Sequence, residues 1–207
     1  IAGPERGNPP RLYRSAYEMA RLGRLGLTAH AGEDAPADYV WQAVDELGVD
    51  RIGHGCAAAQ DPELVRRLAR DQIAVEVCLS SNFHTGAVKR GARHPLHAFL
   101  EAGVPVALAT DVNPGGGLSP SLPYAMALGC FSMGLSLEEA LGAVTLNPAH
   151  SLGRHEEVGS LEVGKRADLV VLRSSRLLDL VRVGVPAIRA VVKDGRVVVR
   201  DGRRMSS

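Results

Sequence analysis

Four residues of this chain have types and spacing that could do chemistry together: His30, Glu33, His54 and Asp111. His30 ends the short apolar run Leu27-Thr28-Ala29 and is followed by Ala31-Gly32-Glu33. His54 ends Arg51-Ile52-Gly53 and precedes Gly55. Asp111 ends the apolar stretch 104–110. Between them Cys78 ends a third apolar run, 73–78, and leads into Leu79-Ser80-Ser81-Asn82. Singly, each has an ordinary structural use: a hydrogen-bonded strand-end histidine, an aspartate capping the next helix, a glutamate in a solvated loop. Jointly, they fall at the ends of successive strands, where parallel α/β folds gather their catalytic groups. Zinc takes imidazole and carboxylate ligands and lowers the pKa of a bound water to about 7. His30 and Asp111 suit that role, and a second histidine with a nearby glutamate suits general acid–base work. The pattern points to hydrolysis. Gly53 and Gly55, beside His54, would let a substrate approach the backbone closely.

The elements that must position these residues alternate regularly. Helix spacing covers 10–24 and 36–47, the latter with Val40, Trp41, Val44 and Leu47 on one face. Asp61-Pro62 predicts the start of a helix through Leu68, with Asp at the N-cap and Pro in the first turn. Residues 94–101 predict another, closed by Gly103. Helices over 121–133 and 136–146 and a third short one from Asn147-Pro148 follow. Strands alternating with helices imply parallel βαβ units, and short continuous apolar strands imply burial on both faces. The pattern alone does not say whether the sheet is open or closed. After Gly159 the composition changes. Residues 167–172 are apolar, and 190–199 reads as a β-hairpin turning at Asp194-Gly195. This divides the chain into a barrel-type portion, 1–153, and a small β-rich appendage, 154–207. Arg200, Arg203 and Arg204 read as a solvated tail.

The whole-chain properties exclude several function classes. The 207 residues are 45% hydrophobic and 23% charged, ordinary for a globular protein, and the formal net charge is +1. That balance argues against nucleic acid or an anionic membrane as partner. No apolar stretch approaches the roughly 20 residues a membrane span needs. Three cysteines, odd in number and without a Cys-x-x-Cys pair, fit a reducing compartment, and a cytoplasmic location is expected. Gly115-Gly116-Gly117 lacks the Lys and Ser/Thr of a phosphate loop and reads as a flexible turn.

The motifs resemble those of a known family. His30-Ala31-Gly32-Glu33, Arg51-Ile52-Gly53-His54-Gly55, Cys78-Leu79-Ser80-Ser81-Asn82 and His94-Pro95 are similar, in order and spacing, to adenosine deaminase signatures. The opening Gly3-Pro4-Glu5 resembles the Gly-x-Glu loop after the fourth barrel strand. This resemblance covers about 1–111. It implies an α/β chain forming the C-terminal part of an eight-stranded (β/α)8 TIM-type barrel, from the end of strand 4 to strand 8. It also implies one zinc per complete site. His30 and Asp111 would bind zinc, and Asp111 would accept the water proton. Glu33 would protonate a purine ring nitrogen, His54 would orient the attacking hydroxide, and the backbone of Gly3 would help hold the base. The reaction would be hydrolytic loss of ammonia from a purine nucleoside or related base. From 104 to 207 the motifs resemble imidazolonepropionases instead, notably Asp111-Val112-Asn113-Pro114-Gly115 and the run from Gly159 to Leu169. That branch implies opening of an imidazolone ring and C-terminal strands belonging to a β-sandwich.

Two departures bear on function. The second Asp of the family's Thr-Asp-Asp-Pro step is absent after Thr110-Asp111. The His-x-His pair that the superfamily's first strand gives the metal does not occur in this chain. His84, His94, His97, His150 and His155 are expected to be structural. Three readings therefore stand beside one another: a zinc aminohydrolase, an imidazolonepropionase-like cyclic amidohydrolase, and an incomplete, inactive fragment or scaffold. A small-molecule substrate is expected in the first two. A half-barrel would leave sheet edges open, which favours self-association or pairing with a complementing half.

Overall fold

A computed structural model describes residues 3–114 and 116–205. Gly115, in the expected flexible turn, lies outside the described residues. The chain divides into two compact units, Ile1–Pro120 and Ser121–Ser207. The three helices before residue 153 thus group with the C-terminal strands.

In the first unit a short 3-10 turn, Pro10–Tyr13, runs into α1, Arg14–Leu22. Then β1, Thr28–Ala31, is followed by α2, Ala37–Asp45; β2, Arg51–His54, by α3, Pro62–Arg70; and β3, Ala74–Val77, by α4, Leu79–His84, and α5, Leu96–Ala102. The last strand is β4, Val106–Leu108. The four strands form one parallel sheet in sequence order, β1-β2-β3-β4. Ala31 pairs with His54 and Val77 with Leu108, so the strand ends lie side by side. Ile52, Val75, Val77 and Val106 fill the sheet. Leu64, Leu68, Leu96 and Phe99 from α3 and α5 are equally buried.

The caps follow the expected chemistry. The Asp61 side chain accepts from the N–H groups of Glu63 and Leu64 and from the Trp41 indole, so one residue starts α3 and ties it to α2. Gly103 closes α5 with φ 78°. Helix α5 begins two residues later than expected, with Pro95 as N-cap, and the His94 imidazole accepts from the Leu96 N–H. Helix α4 was not expected; its Ser and Asn residues favour caps and turns over helix interiors.

The second unit contains α6, Leu122–Met133; α7, Leu137–Val144, opened by a Ser136/Glu139 capping box; and α8, Leu146–Ser151. Its antiparallel sheet runs β5, Leu169–Leu172; β6, Ile188–Lys193; β7, Arg196–Arg200; and β8, Arg203–Arg204. Asp194 and Gly195 both have positive φ, 49° and 76°, as the expected hairpin turn requires. Asp201-Gly202 repeats the signal at φ 50° and 75°. This corrects the reading of Arg203 and Arg204 as a tail: they pair with β7 as a strand, while their side chains stay exposed. Among the described residues no helix is long and apolar enough to cross a membrane.

Phe99, on α5, is fully buried. Phe99→Ala should destabilise the chain by about 3–5 kcal/mol, read from a denaturant midpoint shift at constant m-value.

Candidate active site

The ends of β1 and β2, together with the segments after β3 and β4, bring together all four residues singled out by spacing. His30 and His54 are ring neighbours, with centroids 4.4 Å apart. His30 Nε2 lies 3.1 Å from Glu5 Oε1 and 3.2 Å from Glu33 Oε2. Glu33 Oε1 lies 3.4 Å from His54 Nδ1, and His54 Nε2 lies 3.9 Å from Asp111 Oδ2. The result is a continuous polar chain, Glu5–His30–Glu33–His54–Asp111, across the rim of the sheet.

Its anchor is Glu5, a residue whose role the motif reading did not assign. Glu5 is 4% exposed. Its carboxylate accepts from the backbone N–H groups of Glu33, Asp34 and Ala35, at 3.0, 3.3 and 2.8 Å, as well as facing His30. These bonds fix the loop that carries Glu33. Burial opposes the negative charge of Glu5, but the His30 and backbone bonds outweigh it and hold its carboxyl below the ordinary range. Burial likewise opposes charge on His30, yet the bonds to Glu33 and Glu5 raise its pKa to about 9. Glu33 is held below its ordinary value despite burial, through His30, His54 and the Thr85 hydroxyl. His54 goes the other way: burial, helped by the neighbouring charge of His30, lowers its pKa against the pull of Glu33 and Asp111.

Asn82 and Thr85 complete the site. The Asn82 amide nitrogen is 2.9 Å from His54 Nδ1 and 3.5 Å from Glu33 Oε1. The Thr85 hydroxyl donates to Glu33 Oε1 at 3.0 Å. Asn82 was visible only as part of a small polar cluster; α4 is what aims it at His54. Gly3 is exposed with φ 119° and lines a shallow cavity with Glu5, Tyr39 and His30, so the segment expected to hold a base does sit beside the cluster.

The glycines beside His54 answer to packing. That holds for Gly55, where a Cβ would meet Val75 at 3.0 Å with φ at 61°, whereas one on Gly53 would make only ordinary contact with the His30 backbone at 3.5 Å. His94 is buried, packs edge-on against Phe83 and is driven down to about 4 by burial.

Among the described residues, two groups of three place one potential ligand atom each within 4.8 Å of one another: His30, Glu33 and His54, and His54, Cys78 and Asp111. The two expected zinc ligands, His30 and Asp111, fall into different groups that share His54. Their imidazole nitrogen and carboxylate oxygen are zinc-type donors and so fit the metal as two of its four ligands.

The model of the family described as adenosine deaminase matches residues 1–149. The chain belongs to the adenosine deaminase family. The match runs past residue 111, where the motif resemblance ended. An adenosine deaminase from Vibrio parahaemolyticus is 43% identical over 139 residues, which are 67% of this chain and 41% of that relative. Among solved structures, an adenine deaminase from Arthrobacter aurescens is 32% identical, covers 72% of this chain and 45% of its own, and superposes with a TM-score of 0.64. An adenosine deaminase from Xanthomonas campestris with bound zinc reaches a TM-score of 0.71 at 21% identity, over 96% of this chain and 51% of its own. This chain therefore spans less than half the length of the Vibrio relative, and its α/β fold is that of the amidohydrolase barrels, followed by a small antiparallel sheet.

Removing the Glu5 carboxylate strands three N–H groups and one side of His30. Glu5→Ala should cost about 1–3 kcal/mol for each buried group left without a partner. Hydrogen exchange should locate the damage, with protection lost first at the amides of Glu33, Asp34 and Ala35.

Proposed function

We propose that this chain supplies the proton-handling half of a zinc-dependent site for hydrolytic deamination of a purine nucleoside or related base. The observation that carries the reading is the Glu5–His30–Glu33–His54–Asp111 chain of contacts at the strand ends, in a member of the adenosine deaminase family. His30 and Asp111 would hold the metal, with further ligands from outside this chain's own histidine set. The chemistry a bound zinc supplies there is Lewis acidity toward water.

The chain's own residues account for the proton movements. A purine ring nitrogen must be protonated as its amino-bearing carbon is attacked, and Glu33 would be the donor. Glu33 would act in its acid form, with the proton taken up from solvent, and the Thr85 hydroxyl, 3.0 Å from its Oε1, would hold the carboxyl in place. His54, kept neutral by burial, presents Nε2 toward Asp111. It would orient the attacking oxygen while Asp111 accepts a proton from it. Return of that proton from Asp111 to the amino group would let the carbon–nitrogen bond break with loss of ammonia. The Gly3 backbone would steady the base.

The test is a chimera in which residues 1–149, the span the family model matches, replace the corresponding portion of the Vibrio enzyme, restoring a full barrel. It should release ammonia from adenosine. Glu33→Gln in that chimera should retain zinc and lose about 10²–10⁴-fold in kcat, whereas Asp111→Ala should lose zinc and turnover together. Unchanged turnover in Glu33→Gln would refute the donor role.

A further inference from the structure

Asn82, in α4, is fully buried beside His54. Its backbone is held at both ends. The N–H donates to the Cys78 carbonyl at 2.8 Å, and the carbonyl accepts from the Val88 N–H at 2.9 Å. The side-chain nitrogen lies 2.9 Å from His54 Nδ1 and 3.5 Å from Glu33 Oε1. The side-chain oxygen, Oδ1, is buried without a hydrogen-bond partner among the described residues. Leaving a buried amide oxygen unpaired costs free energy. The opposite orientation of the amide would cost more: it would set Oδ1 against the Glu33 carboxylate oxygen and take a donor away from it.

This orientation decides which nitrogen of His54 carries the proton. In a neutral imidazole one nitrogen donates and the other accepts. An Asn82 N–H aimed at Nδ1 needs a bare nitrogen there, so the proton sits on Nε2. The rival acceptor for a proton on Nδ1 is Glu33 Oε1, 3.4 Å away. That oxygen already accepts from the Thr85 hydroxyl at 3.0 Å and from Asn82, which occupies both of its lone pairs. At the far side of the ring, Nε2 lies 3.9 Å from Asp111 Oδ2, an acceptor. Donation thus runs one way, from Asn82 through His54 toward Asp111.

We propose that Asn82 is a positioning residue that fixes the tautomer of His54, with Nδ1 bare and Nε2–H turned toward Asp111. The inference deepens the deaminase reading and rests on it for its chemical consequence. An Nε2–H can donate to the attacking oxygen and stabilise its charge, but it cannot take that oxygen's proton. The proton is left to Asp111. The opposite tautomer would present a bare Nε2 to the Asp111 carboxylate, and the two would compete for one proton.

The tautomer is read on the chain stripped of metal, from long-range 1H–15N correlations of the His54 ring. Nε2, which couples to both carbon-bound ring protons, should carry the proton, and Nδ1 should be bare. Asn82→Leu removes the donor at nearly constant volume and frees one lone pair of Glu33 Oε1. In that variant the proton should appear on Nδ1. A proton on Nδ1 in the unaltered chain, or an Nδ1 still bare in Asn82→Leu, would overturn the proposal. The first of these needs no substitution, so it decides the matter even where the variant folds poorly. In the chimera carrying residues 1–149, Asn82→Leu should lower kcat about 10²–10³-fold with KM little changed. An unchanged kcat would equally overturn the proposal. A chimera that releases no ammonia at all would sink the deaminase reading, and the ring correlations would still decide the tautomer.

Discussion

The site depends on one compensated charge, the buried carboxylate of Glu5. A carboxylate out of water is tolerated only when donors replace its hydration. Glu5 finds three backbone N–H groups and an imidazole. The backbone bonds shape the loop after β1 and so place Glu33. The imidazole is held protonated and helps keep Glu33 ionised, while burial, with that neighbouring charge, keeps His54 neutral. Each step sets the state of the next, and the last one presents a neutral ring to Asp111.

The sheet contributes position and also strain. Parallel register brings Ala31 beside His54 and Val77 beside Leu108, so polar residues emerging from neighbouring strands share one rim. At that rim the backbone leaves the extended region. His54 has φ 64° and Asp111 φ 48°, values L-residues seldom adopt. Such turns cost energy and persist where the surroundings determine them. Here His54 is determined by Asn82, Glu33 and the His30 ring.

Much of this was legible in the sequence because it is local. Asp61-Pro62 starts a helix by a mechanism contained in two residues, and Asp194-Gly195 turns a hairpin the same way. Apolar runs ending in His30, His54 and Asp111 located the rim. What was not legible is set by distant contacts. Glu5 acts on residues about thirty positions away, and nothing in its own neighbourhood marks it as buried. Asn82 and Thr85 gain their roles only because 79–84 forms a helix, in a segment whose Ser and Asn content spoke for a loop. The strand at 203–204 was hidden by its charge: arginines look solvated, and they are, but their backbone is paired. The grouping of 121–151 with the C-terminal strands is likewise a matter of packing that helix periodicity does not reveal.

The claim at the centre is that two carboxylates hold His30 charged while His54 beside it stays neutral. Long-range 1H–15N correlation of the imidazole rings, on the chain stripped of metal, measures this directly between pH 6 and 10. Because the raised pKa of His30 is about 9, its ring should remain doubly protonated at pH 8 and titrate only above that, while His54 should show one protonated and one bare nitrogen throughout. A His30 that loses its proton near the ordinary value of about 6.5, or a charged His54 beside a neutral His30, would contradict the account.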